Sequence, residues 1–144
     1  MTVEEIKNKF VKATETNDMD LAEEALMNMY DNGAELEYTP YLNQLLGIKN
    51  HYRHEDIAQT LQSLKSESSV DILFKTATVK LEYLNYDNSE ALARKCTWAL
   101  ADIGSKKAKE ALEILSKNQD SVIANFATKR LNNWESEASR KNNS

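Results

Sequence analysis

Apolar residues recur at every third or fourth position along most of this 144-residue chain. That spacing places them on one face of an α-helix, whereas a half-buried strand would show strict alternation. Eight stretches carry such a stripe, and they span Val3–Ala13, Leu21–Met29, Tyr41–Leu46, Ile57–Leu64, Ile72–Leu81, Ala91–Ile103, Ala108–Leu115 and Ile123–Trp134. The pattern predicts an all-α protein of about eight short helices, and each must bury its stripe against neighbours because it is too short to be stable alone.

Residues that commonly begin and end helices stand at the edges of these stripes. Thr2 and Glu5 have the spacing of a capping box. Asp120 stands where a helix N-cap is expected, and Gly104 stands where a helix commonly ends in a left-handed residue. The fifth stripe predicts a longer helix, from Val70 to about Tyr83. Only three Gly and one Pro occur, which favours helices with short polar joints over a sheet with many tight turns.

Part of this pattern repeats along the chain. Leu61-x-x-Leu64 followed by Ser69-Val70-x-x-x-Phe74 recurs as Leu112-x-x-Leu115 followed by Ser121-Val122-x-x-x-Phe126, at an offset of 51 or 52 residues. Repetition of a helix-turn-helix unit at this scale is typical of an α-solenoid, in which each pair of helices buries one side until the next pair stacks on it.

The second copy lies in the clearest part of the chain. Its helices read Ala91-Leu-Ala-Arg-Lys-Cys-Thr-Trp-Ala-Leu-Ala-Asp-Ile-Gly104 and then Lys107-Ala108-x-x-Ala111-Leu112-x-x-Leu115. With Ser121-Val122 opening the next helix, residues 89–131 resemble the HEAT-like repeat. Residues 54–83 resemble it loosely.

That resemblance implies a right-handed α-α superhelix, a HEAT-like α-solenoid. We expect a single domain over residues 1–136, with divergent N-terminal helices in 1–50 and recognisable repeats in 54–134. Residues 137–144 are expected to form a polar tail.

Charge is distributed unevenly along the chain, whose formal net charge is −5. Residues 1–38 hold ten acidic and three basic side chains, whereas residues 105–144 hold five acidic and eight basic ones. Nucleic-acid binders usually carry a basic stripe that displaces counterions from phosphate, so the composition disfavours a nucleic-acid partner. The acidic N-terminal segment favours a basic protein partner. The alternative is that these acids only keep a helical surface soluble.

The remaining features indicate a cytoplasmic protein with no membrane partner. The single Cys96 lies within an apolar helical pattern and is expected to be reduced and buried. The N-terminus has two acids and no long apolar run, so it does not read as a secretory signal. No stretch approaches the roughly 18 apolar residues that a membrane span requires.

Two groups of residues are candidates for a site. His51 and His54, three apart and followed by two acids, are the nearest approach to a metal motif, but those acids also suit the first turn of a helix, so we predict no metal and no cofactor. All six tyrosines fall between Tyr30 and Tyr86, and tyrosine is enriched at protein interfaces. The alternative for these tyrosines is that their rings cover the core and leave the hydroxyl in water. The predicted partner-binding residues are Tyr52, His54, Glu55, Asp56, Tyr83, Tyr86 and Asp87.

Catalytic patterns are missing from the sequence. It contains no Gly-rich phosphate loop, no Gly-x-Ser-x-Gly elbow and no His-Glu-x-x-His pair, so we predict a non-enzymatic protein-binding module with no catalytic residues. In size, charge and repeat type the chain also resembles the immunity proteins of bacterial toxin systems, some of which are helical repeat domains. This implies binding and neutralising a basic toxin domain. The alternatives are an enzyme of the HEAT-like DNA-repair glycosylase type and a general structural adaptor.

Overall fold

The computed structural model describes residues 1–135, and within this range the chain is all-α with no β-strand. Its eight α-helices are α1 (Val3–Thr16), α2 (Met19–Asn32), α3 (Thr39–Leu46), α4 (His54–Leu64), α5 (Val70–Thr76), α6 (Glu90–Ile103), α7 (Lys106–Leu115) and α8 (Ser121–Asn132). Three short 3₁₀ helices lie between them, at Leu36–Tyr38, Glu67–Ser69 and Glu82–Asp87. The predicted polar tail, residues 137–144, lies outside the described residues.

The predicted helix ends are confirmed where capping chemistry defines them. The Thr2 hydroxyl accepts the Glu5 N–H at 3.1 Å, and the Glu5 carboxylate accepts the Thr2 N–H at 3.2 Å. The hydrogen bond from the Thr2 N–H is the largest cause of the lowered pKa of the Glu5 carboxyl. Asp120 accepts the Val122 N–H at 3.0 Å, and Gly104 ends α6 in the left-handed region with φ +70°. Each cap involves residues within a few positions of one another, which is why sequence alone locates it.

The helix predicted from Val70 to about Tyr83 is wrong beyond Thr76. The chain instead passes through an extended residue at Leu81, whose N–H donates to the Ser89 hydroxyl at 2.9 Å, and then enters the 3₁₀ helix Glu82–Asp87. Leu81 is nevertheless buried. The apolar period continues through this region because an extended segment also reaches the core, and periodicity cannot distinguish it from one more helical turn.

Helix α6 occupies the centre of the fold. It contacts α4, α5, α7 and α8, and its contact with α4 is the most extensive. Leu92, Cys96, Ala99 and Leu100 on its buried face have no exposed surface. Ala99 leaves room for neighbouring helices to approach closely. Burial raises the pKa of the Cys96 thiol, so this cysteine is a packing residue in its protonated form.

Contacts between the helices follow a regular order. Each odd-numbered helix contacts the next along the series α1, α3, α5 and α7, and α6 contacts both α4 and α8. Helices α1 and α2, α3 and α4, α5 and α6, and α7 and α8 also contact one another as consecutive pairs. Between α4 and α6, Gln59 meets Lys95 and Gln62 meets Asp102, so the two helices run in the same direction. The segments that precede α4 and α6 therefore lie at the same end of the molecule.

The N-terminal third has its own aromatic cluster. The Phe10 ring stacks on Tyr41 with centres 5.6 Å apart, and Tyr38 is fully buried beside it. The Tyr38 ring lies in the core, but its hydroxyl is buried without a hydrogen-bond partner, so the alternative that leaves the hydroxyl in water does not describe this residue. None of the helices described in residues 1–135 combines the length and apolar character that crossing a bilayer requires.

Candidate partner-binding surface

Two histidine rings lie stacked where the loop before α4 meets that helix. The ring centres of His51 and His54 are 4.0 Å apart, and the ring planes differ by 8°. Both side chains are buried, with exposed fractions of 2% and 1%. The two rings are therefore buried between the loop and the rest of the protein.

Hydrogen bonds define the protonation of this pair. The His51 Nε2 atom lies 2.6 Å from the Leu45 carbonyl oxygen, and the His54 Nε2 atom lies 2.7 Å from the Ile48 carbonyl oxygen. Because a carbonyl oxygen only accepts, each Nε2 carries a hydrogen. The His51 Nδ1 atom accepts the Arg53 backbone N–H at 3.1 Å, so it carries none and the ring is neutral.

Tyr83, from the 3₁₀ helix Glu82–Asp87, completes the cluster. Its hydroxyl accepts the His54 backbone N–H at 3.2 Å and lies 2.8 Å from the His54 Nδ1 atom. In a neutral ring with its hydrogen on Nε2, Nδ1 accepts, so the Tyr83 hydroxyl donates to it. Burial and the neighbouring His51 ring lower the pKa of His54 from 6.5 to about 4, and burial lowers the pKa of His51 as well. Both effects favour the neutral pair.

Tyr52 and Tyr86 present large aromatic surfaces to solvent around Tyr83. The Tyr52 ring meets the Tyr83 ring edge to face, with centres 5.2 Å apart and planes at 87°. The exposed fractions of Tyr52 and Tyr86 are 70% and 77%. The Glu55 carboxylate lies close enough to Tyr86 to raise the pKa of that phenol. We call Tyr52, Tyr83, Tyr86 and Glu55 the tyrosine surface.

Asp56 extends the tyrosine surface toward α2. Its carboxylate lies 3.9 Å from an Arg53 guanidinium nitrogen, and the Arg53 Nε atom lies 3.6 Å from Glu23. These exposed pairs contribute little to stability, and they leave two acidic groups, Glu23 and Asp56, on either side of Arg53. The Tyr30 hydroxyl bonds to the Thr60 hydroxyl at 2.9 Å and so joins α2 to the same face of α4.

Asp87 is hydrogen-bonded to the first turn of α6. Its Oδ2 atom accepts the Ala91 N–H at 3.1 Å, while Oδ1 is buried without a hydrogen-bond partner. The carboxylate therefore satisfies a free N–H in the first turn of α6 and fixes the end of the segment that carries Tyr83 and Tyr86.

A groove of about 570 Å³ opens beside Tyr52 and Tyr83. Its other lining residues are Lys49, Asn50, Lys80, Leu81 and Glu82. The Lys80 ammonium is held by the Asp120 carboxylate at 3.2 Å and the Asn88 carbonyl at 3.1 Å. Sequence reasoning missed Lys49 and Lys80, because no periodicity or motif relates two lysines that lie in separate loops.

The structure therefore separates the seven predicted site residues by position. Tyr52, Tyr83, Tyr86 and Glu55 come together, and Asp56 lies at their edge. His54 is buried beneath the surface, and Asp87 is half-buried at the start of α6, where its carboxylate accepts the Ala91 N–H. Their hydrogen bonds lie within or next to the segments that carry the tyrosines.

Metal binding by the histidine pair would require breaking existing hydrogen bonds. All four ring nitrogens of His51 and His54 lie within 3.1 Å of a protein partner. Among residues 1–135, no group of three or more His, Cys, Asp or Glu side chains is arranged to hold a metal ion.

Comparison of the chain with protein-family models, with curated proteins and with solved structures gives no match. The most distinctive feature from which a function can be inferred is the tyrosine surface, in which two aromatic rings are mostly exposed and Tyr83 is hydrogen-bonded to the buried His54.

Proposed function

We propose that this protein is a non-enzymatic binding module whose tyrosine surface takes a basic segment of another protein. Its most concrete form is an immunity protein that neutralises a basic toxin domain by covering it. The observation that carries the proposal is the exposure of Tyr52 and Tyr86, with the Tyr52 ring packed on the hydrogen-bonded Tyr83. Large exposed aromatic rings leave apolar area in water, and such area commonly marks an interaction site.

The rigidity of the support favours binding. Tyr83 is held by two hydrogen bonds to His54, and Tyr52 packs against Tyr83. A tyrosine has few rotatable bonds and offers a wide ring with a polar tip, so it loses little conformational entropy when a partner packs on it. Preorganised groups of this kind contribute most of their contact energy to affinity.

Charge complementarity favours a basic partner. Glu55, Asp56 and Glu82 lie around the tyrosines. Three basic residues, Lys49, Arg53 and Lys80, lie nearby, and Arg53 and Lys80 already contact carboxylates. An arginine of the partner would find both an aromatic face and a carboxylate here. The excess of acidic residues in 1–38 would speed the encounter by steering the partner toward this end.

The same proposal includes a HEAT-like arrangement of the helices. It is supported by the contacts of α3, α5 and α7 in one series and of α4, α6 and α8 in another, with α4 and α6 parallel. In such an arrangement the segments before α4 and α6 emerge side by side and form a continuous surface. This accounts for the approach of Tyr52 to Tyr83 across the two segments.

Affinity capture with matched variants tests the proposal. The bait variant Tyr52→Ser/Tyr86→Ser removes the two exposed rings, and Leu36→Ser/Ile114→Ser removes two other apolar side chains with exposed fractions of 60% and 61%. We expect wild type and the control variant to retain one basic protein, with the affinity for that protein at least tenfold weaker in the tyrosine variant.

Growth rescue provides the functional readout. Co-expression of wild type with the captured protein should restore growth if that protein is toxic, and the tyrosine variant should restore less. Equal affinity in the two variants would contradict the proposed surface. Failure of wild type to retain any protein, together with tight and salt-sensitive binding of duplex DNA, would contradict the proposed class of function.

A further inference from the structure

The hydrogen-bond partners of the histidine pair beneath the tyrosine surface fit only the neutral form of both rings. Both Nε2 atoms donate to carbonyl oxygens, and both Nδ1 atoms accept. We propose that protonation of the stacked His51–His54 pair opens the segments that carry Tyr52 and Tyr83, so that the tyrosine surface comes apart under mildly acidic conditions. The surface would then be assembled at neutral pH and released by acid.

Protonation of either ring disturbs a specific contact. A proton on the His51 Nδ1 atom would point at the Arg53 N–H, which lies 3.1 Å away and is itself a donor. A proton on the His54 Nδ1 atom would turn the Tyr83 hydroxyl from a donor into an acceptor of two N–H groups. In both cases the new charge would lie against a second imidazole ring at 4.0 Å, inside the protein.

The surrounding charges do not reverse this preference. Glu23 on α2 favours the charged form of His51, and Arg53 in the same loop disfavours it. Glu55 and Asp56 on α4 act on Tyr83, where they favour the protonated phenol. Burial is the largest influence on both rings and keeps them neutral.

The expected size of the response follows from proton linkage. In an opened segment His54 would titrate at its usual pKa of 6.5, whereas in the closed segment its pKa is about 4. Lowering the pH from about 7.5 to about 5 should therefore increase the opening equilibrium about 30-fold through His54 alone. His51 acts in the same direction because burial also lowers its pKa.

Amide hydrogen exchange measures this opening without any partner. The protection factors of residues 48–54 and 82–87 should fall at least about 30-fold between about pH 7.5 and about pH 5, after correction for intrinsic rates. Those of the buried α6 residues 92–101 should remain higher at both pH values, because α6 exchanges only through unfolding of the whole domain, whereas the two segments open locally. Segments that are as strongly protected as α6 at both pH values, or that keep their protection on acidification, would overturn the inference.

Variants separate the histidines from other acidic groups. The double variant His51→Gln/His54→Gln keeps an amide donor near each carbonyl oxygen and removes both titrating rings, so its protection should not depend on pH in this range. The control Tyr52→Phe keeps the ring against Tyr83 and should respond as wild type does. A double variant that still opens on acidification would overturn the inference.

A second measurement on wild type applies even if the double variant does not fold. Nitrogen chemical shifts of the two imidazoles should show neutral rings with hydrogen on Nε2 at about pH 7 and a pKa well below 6.5 for His54. If both rings become charged near pH 6.5 while the two segments stay protected, protonation is tolerated and the inference fails.

This inference rests on the proposed function because it concerns the same surface. Experiments can nevertheless contradict the proposed function and the acid-dependent opening independently of each other. Loss of protection in acid without any protein binding at neutral pH would contradict the proposed function alone. Partner binding that depends on Tyr52 and Tyr86, together with segments that stay protected in acid, would contradict only the switch.

Discussion

The guanidinium carbon of Arg130 lies 3.5 Å from the centre of the Trp98 ring. Arg130 is on α8 and only 7% exposed, and Trp98 is on the central helix α6. A buried cation over the face of an indole ring is a strong form of cation–π contact because little water competes for the charge. This contact attaches the last described helix to the centre of the fold.

The first prediction concerns this contact. We expect Arg130→Lys to reduce the free energy of unfolding by about 1–2 kcal/mol, because an ammonium cannot stack flat on the ring and is more strongly hydrated. The exposed neighbour provides the control, since Lys129→Arg should change stability by less than about 0.5 kcal/mol. Urea denaturation measures both changes. In a Trp98→Leu background the cost of Arg130→Lys should shrink, and an unchanged cost there would show that Trp98 is not the partner.

The second prediction tests the core. Leu100 and Leu112 have no exposed surface, so Leu100→Ala and Leu112→Ala should each reduce the free energy of unfolding by about 2–5 kcal/mol. Ile114, on the same helix as Leu112, is 61% exposed, and Ile114→Ala should cost less than about 0.5 kcal/mol. Thermal and urea denaturation provide the comparison. Similar losses for Leu112 and Ile114 would mean that the buried face of α7 is assigned incorrectly.

The third prediction concerns the end of α6. A Cβ at Gly104 would meet nothing nearer than the Ala101 carbonyl oxygen at 3.6 Å, so the cost of a side chain comes from the backbone at φ +70°. Gly104→Val should reduce stability by about 1–2 kcal/mol, because a β-branched residue resists this conformation. Gly104→Asn should lose less, since Asn tolerates the left-handed region. Melting temperatures that rank Val at or above Asn would contradict this explanation.

The fourth prediction is a loss of stability in acid. His54 has a lower pKa in the folded protein (about 4) than its usual value of 6.5, so the unfolded chain binds a proton first as pH falls. The stabilisation from the neutral ring is complete above about pH 6.5 and decreases to zero near pH 4, an effect of at most about 3 kcal/mol. Urea denaturation at a series of pH values should show this decline.

A matched variant distinguishes this decline from ordinary acid denaturation. The lowered pKa values of Glu5 and Asp120 also cost stability in acid, but their effect begins nearer their usual values of 4.5 and 3.8. Between about pH 6.5 and pH 5 the double variant His51→Gln/His54→Gln should therefore give a nearly flat curve. A wild-type curve that is equally flat there would refute the assignment of neutral buried rings.

Local features of the fold were predictable because their causes are local. The Thr2–Glu5 capping box and the left-handed Gly104 depend on atoms within one helical turn. The error beyond Thr76 has the opposite origin. Leu81 is extended, and its N–H bonds to Ser89, the residue that precedes α6. This partner is not visible in the spacing of apolar residues.

The candidate site was predictable only in part. The clustering of tyrosines and acids indicated the right segments, and Tyr52, Tyr83 and Tyr86 do come together. The sequence did not distinguish the buried His54 from the exposed Tyr52 two residues earlier. That distinction depends on which carbonyl groups face the loop, and these are placed by the packing of α3 and α4.

By itself the sequence determined that the chain forms short amphipathic helices and that acidic residues outnumber basic ones near the N-terminus. It also determined that the single cysteine lies in an apolar stripe. These properties follow from composition and from the period of the helix. The tertiary structure alone decided that the segments before α4 and α6 meet and that two histidines are kept neutral beneath three tyrosines. Desolvation and contacts across 29 residues act only after the helices have packed, so the sequence pattern carries no direct sign of them.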